Sequence, residues 1–318
     1  MLRGGRQVRV TMIICVGEIL ADMIGREENG TVCYERYAGG APFNVACGLK
    51  KLGISCGFCG SVGADIIGDF LKEFAEKQQF EYLYIGRKTQ YNTTLAFVEL
   101  AYTGERRFSF YRKHTADYCL PHVAVQGIAE QADIVHIGSL LLSEKRGLGF
   151  ADRLISAAHV KGKLVSFDVN YREDIFTNKE EAVNILSKYI MLADIVKLSE
   201  EELPLFTGEK TLEEGLCLLA GNNKTVFLTL GAEGSMACAN GKIYYAPSVS
   251  VKAFDTTGAG DAFFAGVLAA MHDGVTDLSR VLRQGNICGA FTVIQKGAYP
   301  RWSRKDIMKA SRDLYISG

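Results

Sequence analysis

Six short, mostly apolar runs, at residues 12–16, 55–60, 134–137, 164–167, 195–198 and 226–230, alternate with segments of helical periodicity. Each run is too short for a helix and lacks a polar alternate face, as expected of strands covered on both sides. Between them, residues 65–79 carry Ile66, Phe70, Leu71 and Phe74 as one apolar stripe. Further helices are expected at 179–191, 200–206, 211–219 and 277–295. Alternation of this kind restricts the chain to an α/β fold, with a mostly parallel central sheet between helical layers. With 318 residues, no internal repeat and no low-complexity linker, the chain can build one large domain or two smaller ones, without a sharp boundary.

Two regions break the rhythm. Residues 31–37 and 93–111 alternate polar and apolar side chains (Leu95, Phe97, Glu99; then Arg107, Phe108, Phe110). That is the pattern of solvent-facing antiparallel strands. Tyr102-Thr-Gly-Glu105 is expected as the hairpin turn between the last two. Together they predict a small second sheet projecting from the main one.

The run Asp255-Thr-Thr-Gly-Ala-Gly-Asp261-Ala-Phe-Phe-Ala-Gly266 sets small residues between two carboxylates and leads into an apolar helical stretch, 262–271. A helix start offers unpaired N–H groups and the positive end of a dipole. Glycines at 258 and 260 let a ligand come close, which makes Gly258, Ala259 and Gly260 candidate donors of an anion site. A carboxylate in such a nest is ill placed to hold phosphate. Asp261 is well placed to deprotonate a hydroxyl while the amides stabilise a phosphoryl group in transfer. The competing reading, an acidic cap on a buried helix, accounts less well for the length of the pattern.

Several classes fall away. No G-x-x-x-x-G-K-[ST] loop is present, which excludes a P-loop kinase. No G-x-G-x-x-G is present either, and Gly258-Ala-Gly260-Asp-Ala-Phe263 has phenylalanine where close packing needs glycine, which argues against a Rossmann dehydrogenase. Lys plus Arg (36) balance Asp plus Glu (36), so no global field favours nucleic acid or an anionic membrane. No apolar run is long enough to span a bilayer. Nine scattered cysteines without a C-x-x-C pair are expected as free thiols in a reducing cytoplasm. The five histidines, at 114, 122, 136, 159 and 272, are too dispersed for zinc. Residues 1–11 are expected to be a disordered extension, with Met12 as an alternative start.

The 255–266 run resembles the C-terminal signature of the ribokinase-like (PfkB) carbohydrate kinase family. A second stretch, Ala38-Gly-Gly-Ala-Pro-Phe-Asn44-Val-Ala-Cys-Gly-Leu-Lys-Lys-Leu-Gly53, resembles its N-terminal signature. The likeness runs from about Ile13 to Lys309, and Pro42 and Phe43 resemble the fructokinase branch. The resemblance implies a three-layer ribokinase-like fold over 12–318, with lid strands at about 22–38 and 92–112 closing over a sugar. It implies a cytoplasmic, ATP- and Mg2+-dependent kinase that converts D-fructose to fructose 6-phosphate. A 2-keto-3-deoxygluconate, ribose or nucleoside kinase is the alternative within the family, and a silent sugar-binding protein the alternative outside it. A homodimer through the exposed lid edge is expected.

The resemblance also places residues. Asp22, after the first strand, matches the acceptor of sugar hydroxyls; Gly39, Gly40 and Asn44 join it. Asp168-Val-Asn-Tyr-Arg172 resembles the D-x-N-x-R element, and Arg112 follows from Phe110-Tyr-Arg112. Lys197-Leu-Ser199-Glu-Glu-Glu202 resembles the N-x-x-E element of the nucleotide side, with serine replacing asparagine; a Ser199 cap on helix 200–206 is the structural alternative. Thr229, Gly231 and Gly234 resemble the loop beside the adenosine, and Asn286 the position flanking the adenine. Asp255 with carbonyls near Thr257, Gln295 and Gly297 is the implied potassium site.

Overall fold

All six expected runs join one nine-stranded sheet in a computed structural model that describes residues 2–3, 6–7, 10–100, 106–176, 178–208 and 210–316. Across the sheet the strands run Tyr82–Lys88, Cys56–Gly63, Ile13–Val16, Ile134–Gly138, Leu164–Asp168, Ile195–Ser199, Thr225–Thr229, Gly234–Ala239 and Lys242–Pro247. The first seven are mutually parallel and the last two continue antiparallel. Side chains alternate between the two faces. Ile13, Cys15, Leu164 and Phe227 belong to one core, and Ile14, Val16, Val165 and Val226 to the other.

The first core packs the helices Ala41–Lys51, Ala259–His272 and Leu278–Val293 against the sheet. The second packs Ala124–Gln131, Lys145–Val160, Lys179–Leu192 and Leu212–Ala220 on the opposite face. This is the three-layer ribokinase-like arrangement that the sequence implied.

The small sheet is separate, in the order Thr31–Gly39, Leu20–Glu28, Leu95–Leu100, Arg106–Tyr111. The expected all-antiparallel pairing needs correction. Its two outer pairs are antiparallel, but the central pair, Ala21 opposite Leu95 through Ile24 opposite Val98, is parallel. Parallel neighbours need a long crossover, and here the intervening chain threads through the main sheet. The 102–105 turn lies outside the described residues.

At the N-terminus the expected disordered stretch has to be shortened. Val10 is buried, and Thr11 donates from N–H and Oγ1 to Asp133 Oδ2 at 2.8 and 2.7 Å. Before it, Leu2–Arg3 pairs with Arg6–Gln7 as a short antiparallel ribbon. Among the described residues no helix is long and apolar enough to cross a membrane.

Candidate active site

The parallel strands end along one edge of the sheet, where an open α/β sheet characteristically binds its ligands. Two helices start there, each behind a glycine in the left-handed region. Gly258 (φ 77°) precedes Ala259–His272, and a Cβ on it would lie 2.6 Å from Ala298 Cβ. Gly40 (φ 110°) precedes Ala41–Lys51, and a Cβ there would lie 2.5 Å from the Glu18 carbonyl oxygen. Between them opens a cleft of about 670 Å³, lined by Glu18, Asp22, Asn44, Arg172, Lys197 and Asp261 among others.

Buried Asp255 pins the loop before the second helix. Its Oδ1 accepts the Thr257 N–H at 2.9 Å and its Oδ2 the Gly297 N–H at 2.7 Å. Asp261 stands in the first helical turn, and Asn44, 217 residues earlier, donates from Nδ2 to its Oδ2 at 2.8 Å. The two signatures therefore meet at a single carboxylate. Burial raises the Asp261 pKa above the usual carboxylate value, and the Asn44 hydrogen bond and the charges of Lys197 and Arg172 oppose that rise.

Lys197 is a cleft residue that sequence reasoning missed. It lies on the strand Ile195–Ser199, buried, with Nζ 3.1 and 3.2 Å from the two Asp168 carboxylate oxygens. A Cβ on Gly260 would come within 2.9 Å of that Nζ, so the ammonium reaches across to the anion nest. Burial works against its charge, but Asp168, Glu202 and Asp261 outweigh it and hold its pKa above the ordinary lysine value. The available signal was a lysine inside an otherwise apolar strand, which is rare unless paired.

Elsewhere in the cleft lining, Asp22 is buried against Gly39, and its pKa is pushed up to about 7 by burial first and then by Asp261 and Asp255. Glu18, which the sequence reading passed over, accepts the Ala41 N–H on Oε1 at 3.0 Å, while its buried Oε2 has no hydrogen-bond partner. Burial, assisted by Asp117, pushes its pKa up to about 8 against the opposing Arg112 charge and backbone hydrogen bonds. Phe110, on the small sheet, lines the cleft. The register sets Phe110 opposite Ala96 and Phe97 opposite Ser109, so Phe97 belongs to the other face, where it packs edge-on against Tyr34 and Tyr111. The Phe108 side chain lies outside the described residues.

Two expected contacts are placed differently, and one structural alternative falls away. Arg112 is committed behind the cleft wall: Nε donates to Asp117 Oδ2 at 2.7 Å and a terminal nitrogen to the Leu140 carbonyl at 2.8 Å. Asn286 ties its helix to the edge hairpin, with Oδ1 accepting from Ser235 Oγ and Nδ2 donating to the Ala246 and Pro247 carbonyls. Both Nδ2 protons are used, so Asn286 is a structural clasp in this structure. Ser199 caps no helix. The helix begins at Leu203, and Glu202 folds back to accept the N–H groups of Ser199 at 2.7 Å and Tyr171 at 2.6 Å.

The remaining candidates fall in or beside the cleft. Arg172 is exposed on its wall, next to Asn170, which sits at φ 32°. A non-glycine residue in that region is strained backbone of the sort found at functional sites. Ser199, Glu202 and Thr229 line the cleft, while Gly231 and Gly234 shape the loop that follows. Near the implied cation site, Gln295 donates from Nε2 to the Phe291 carbonyl and keeps a buried Oε1 without a hydrogen-bond partner, an oxygen of the kind a hard cation takes. No cluster of three or more His, Cys, Asp or Glu side chains fit for a metal occurs among the described residues.

Residues 10–304 match the description "pfkB family carbohydrate kinase". A fructokinase from Escherichia coli is 34% identical over 267 residues, covering 82% of this chain and 87% of the relative. A fructokinase from Xylella fastidiosa with bound ATP superposes with a TM-score of 0.86 at 27% identity, over 96% of this chain and 99% of that one. A fructokinase double mutant from Vibrio cholerae O395, with fructose, ADP and a potassium ion bound, gives a TM-score of 0.86 at 29% identity over 96% and 99% of the two chains. With the family description matched over nearly its whole length, the chain belongs to the pfkB family of carbohydrate kinases.

Proposed function

We propose that this chain is a fructokinase that transfers the γ-phosphoryl group of ATP to O6 of D-fructose. The observation that carries the reading is the 2.8 Å contact of Asn44 with Asp261 at the mouth of the Gly258–Gly260 nest, with Lys197 reaching the same point. In this reading Asp22 and Asn44 hold sugar hydroxyls, and Asp261 takes the proton of the attacking one. The backbone N–H groups of Gly258, Ala259 and Gly260, with Lys197 and Arg172, face the charge that develops on the phosphoryl oxygens. Phe110 on the small sheet closes over the sugar and excludes water. The adenosine end lies along Thr229, Gly231 and Gly234.

Magnesium on the ATP phosphates would be held through water from the Ser199–Glu202 side, where it would offset phosphate charge. Potassium would lie at Asp255 with the carbonyls near Thr257, Gln295 and Gly297. The cysteines are free thiols, all buried except Cys33 and Cys217, which supports a reducing cytoplasm. We also assign a homodimer to the small sheet, whose outer face exposes Val32, Tyr34 and Tyr111. Sedimentation of the purified chain should show a species of twice the chain mass, and a monomer at micromolar concentration would remove that assignment.

The test of the activity is a coupled assay of ADP release over a sugar panel of D-fructose, D-ribose, a nucleoside and 2-keto-3-deoxygluconate. Fructose should give the highest kcat/KM, with the product phosphorylated at O6. A higher value for any other member would overturn the fructose assignment.

A further inference from the structure

The cations lining the cleft are Arg172, Lys179 and Lys197; of these, Arg172 and Lys197 act on the charge of Asp261, at the phosphoryl end. The sugar end carries the carboxyl groups of Glu18 and Asp22. Arg112, whose charge acts on Glu18, stands two residues beyond Phe110 and is bonded to the carbonyl of Leu140, both of which line the cleft. It is already taken. Asp117 Oδ2 accepts from its Nε at 2.7 Å, while Asp117 Oδ1 accepts from Thr94 Oγ1 at 2.6 Å and Thr115 Oγ1 at 2.7 Å. Ser143 Oγ accepts from a terminal guanidinium nitrogen. The side chains of Arg112 and Asp117 are 7% and 1% exposed, so water screens the pair little.

A planar guanidinium matches a carboxylate as a two-pronged partner. Here the protein supplies that carboxylate itself. A sugar acid entering the cleft would meet the carboxyl groups of Glu18 and Asp22 while the Arg112 guanidinium is already paired, and a carboxylate taken out of water without a counter-charge is strongly disfavoured. We propose that Asp117 sets the substrate class: by occupying Arg112 it reserves the cleft for uncharged sugars and excludes 2-keto-3-deoxy sugar acids. Asp117 is thus a positioning residue that acts through Arg112. The proposal rests on the sugar-kinase reading given above.

The experiment compares D-fructose with 2-keto-3-deoxygluconate in the wild type and in Asp117→Asn, which keeps the shape and an acceptor for the threonines. In the wild type the ratio of kcat/KM values should favour fructose by about a hundredfold or more. In Asp117→Asn the ratio should fall at least about tenfold, through a lower KM for the sugar acid, because Arg112 regains an unpaired charge. A purely structural role for Asp117 would depress both substrates by one factor, and an unchanged ratio would overturn the proposal. Should the variant not fold, the wild type still decides. Competitive inhibition of fructose phosphorylation by the sugar acid at or below the fructose KM overturns the proposal, and its absence at tenfold higher concentration supports it. The two readings fail separately: a preference for ribose over fructose removes the fructose assignment but leaves Asp117 selecting an uncharged sugar.

Discussion

Replacing Asp261 by asparagine should lower turnover by roughly a hundredfold or more, the range for loss of a general base. Asparagine retains the size of the side chain and can still accept from Asn44 Nδ2, which donates to Oδ2 at 2.8 Å in the native chain. Binding of fructose, measured by calorimetry without nucleotide, should therefore change by less than about tenfold. The pH profile provides an independent check. Burial raises the Asp261 pKa, and a base works only when ionised, so native turnover should rise with pH through that value and then level. Asp22 adds to the same acidic limb, since its pKa near 7 leaves it partly protonated, and a protonated carboxyl accepts fewer sugar hydroxyls. In Asp261→Asn the residual rate should lose the steeper part of this dependence. Near-native turnover in the variant would mean that another group removes the proton.

Much of this molecule could be read from its sequence wherever local pattern and tertiary demand agree. The six apolar runs became strands because the residues of a covered parallel strand must be apolar on both faces, as in Ile13–Val16 and Leu164–Asp168. The Ala41–Lys51 helix gave no such signal: it carries Pro42 and Gly48 and is buried from Pro42 to Leu49, so no polar stripe marks its period. The edge strands Tyr82–Lys88 and Lys242–Pro247 escaped for the opposite reason, since their half-exposed side chains mix types freely. The parallel centre of the small sheet depends on long connections that no local pattern records.

At the site, the glycine nest and Asp261 were legible because glycine beside a helix start has few other uses. Asn44 was assigned to the sugar, and the structure adds its bond to Asp261. Arg112 and Asn286 look the same in sequence whether they touch a ligand or brace the wall; only the partners Asp117, Leu140, Ser235 and Ala246 separate the two cases. Glu18 was invisible as a candidate because a carboxyl after a strand is ordinarily a turn residue, and its burial comes from helix Ala41–Lys51 arriving across it.

Lys197→Met should produce two large losses that can be separated. The first is stability: the Lys197 and Asp168 side chains are 7% and 1% exposed, and removing one partner of a buried ion pair strands the other, at about 3–5 kcal/mol. The second is turnover. Lys197 Nζ lies against Gly260, in the nest proposed to face the phosphoryl charge, and deleting one such preorganised donor costs about a hundredfold to a thousandfold in kcat. The double variant Lys197→Met with Asp168→Asn distinguishes the two. With neither charge of the pair left buried, chemical denaturation should recover much of the lost stability, because replacing a whole buried pair is often nearly neutral, although Glu202 and Asp261 still lose the nearby ammonium. Turnover should stay low, since the ammonium is still missing from the nest. Recovery of both together would make Lys197 a brace for the strand ends and leave the phosphoryl group to Arg172 and the backbone amides. Recovery of stability alone would place the catalytic contribution on the lysine, and it would explain why this chain tolerates a cation in the middle of its main sheet.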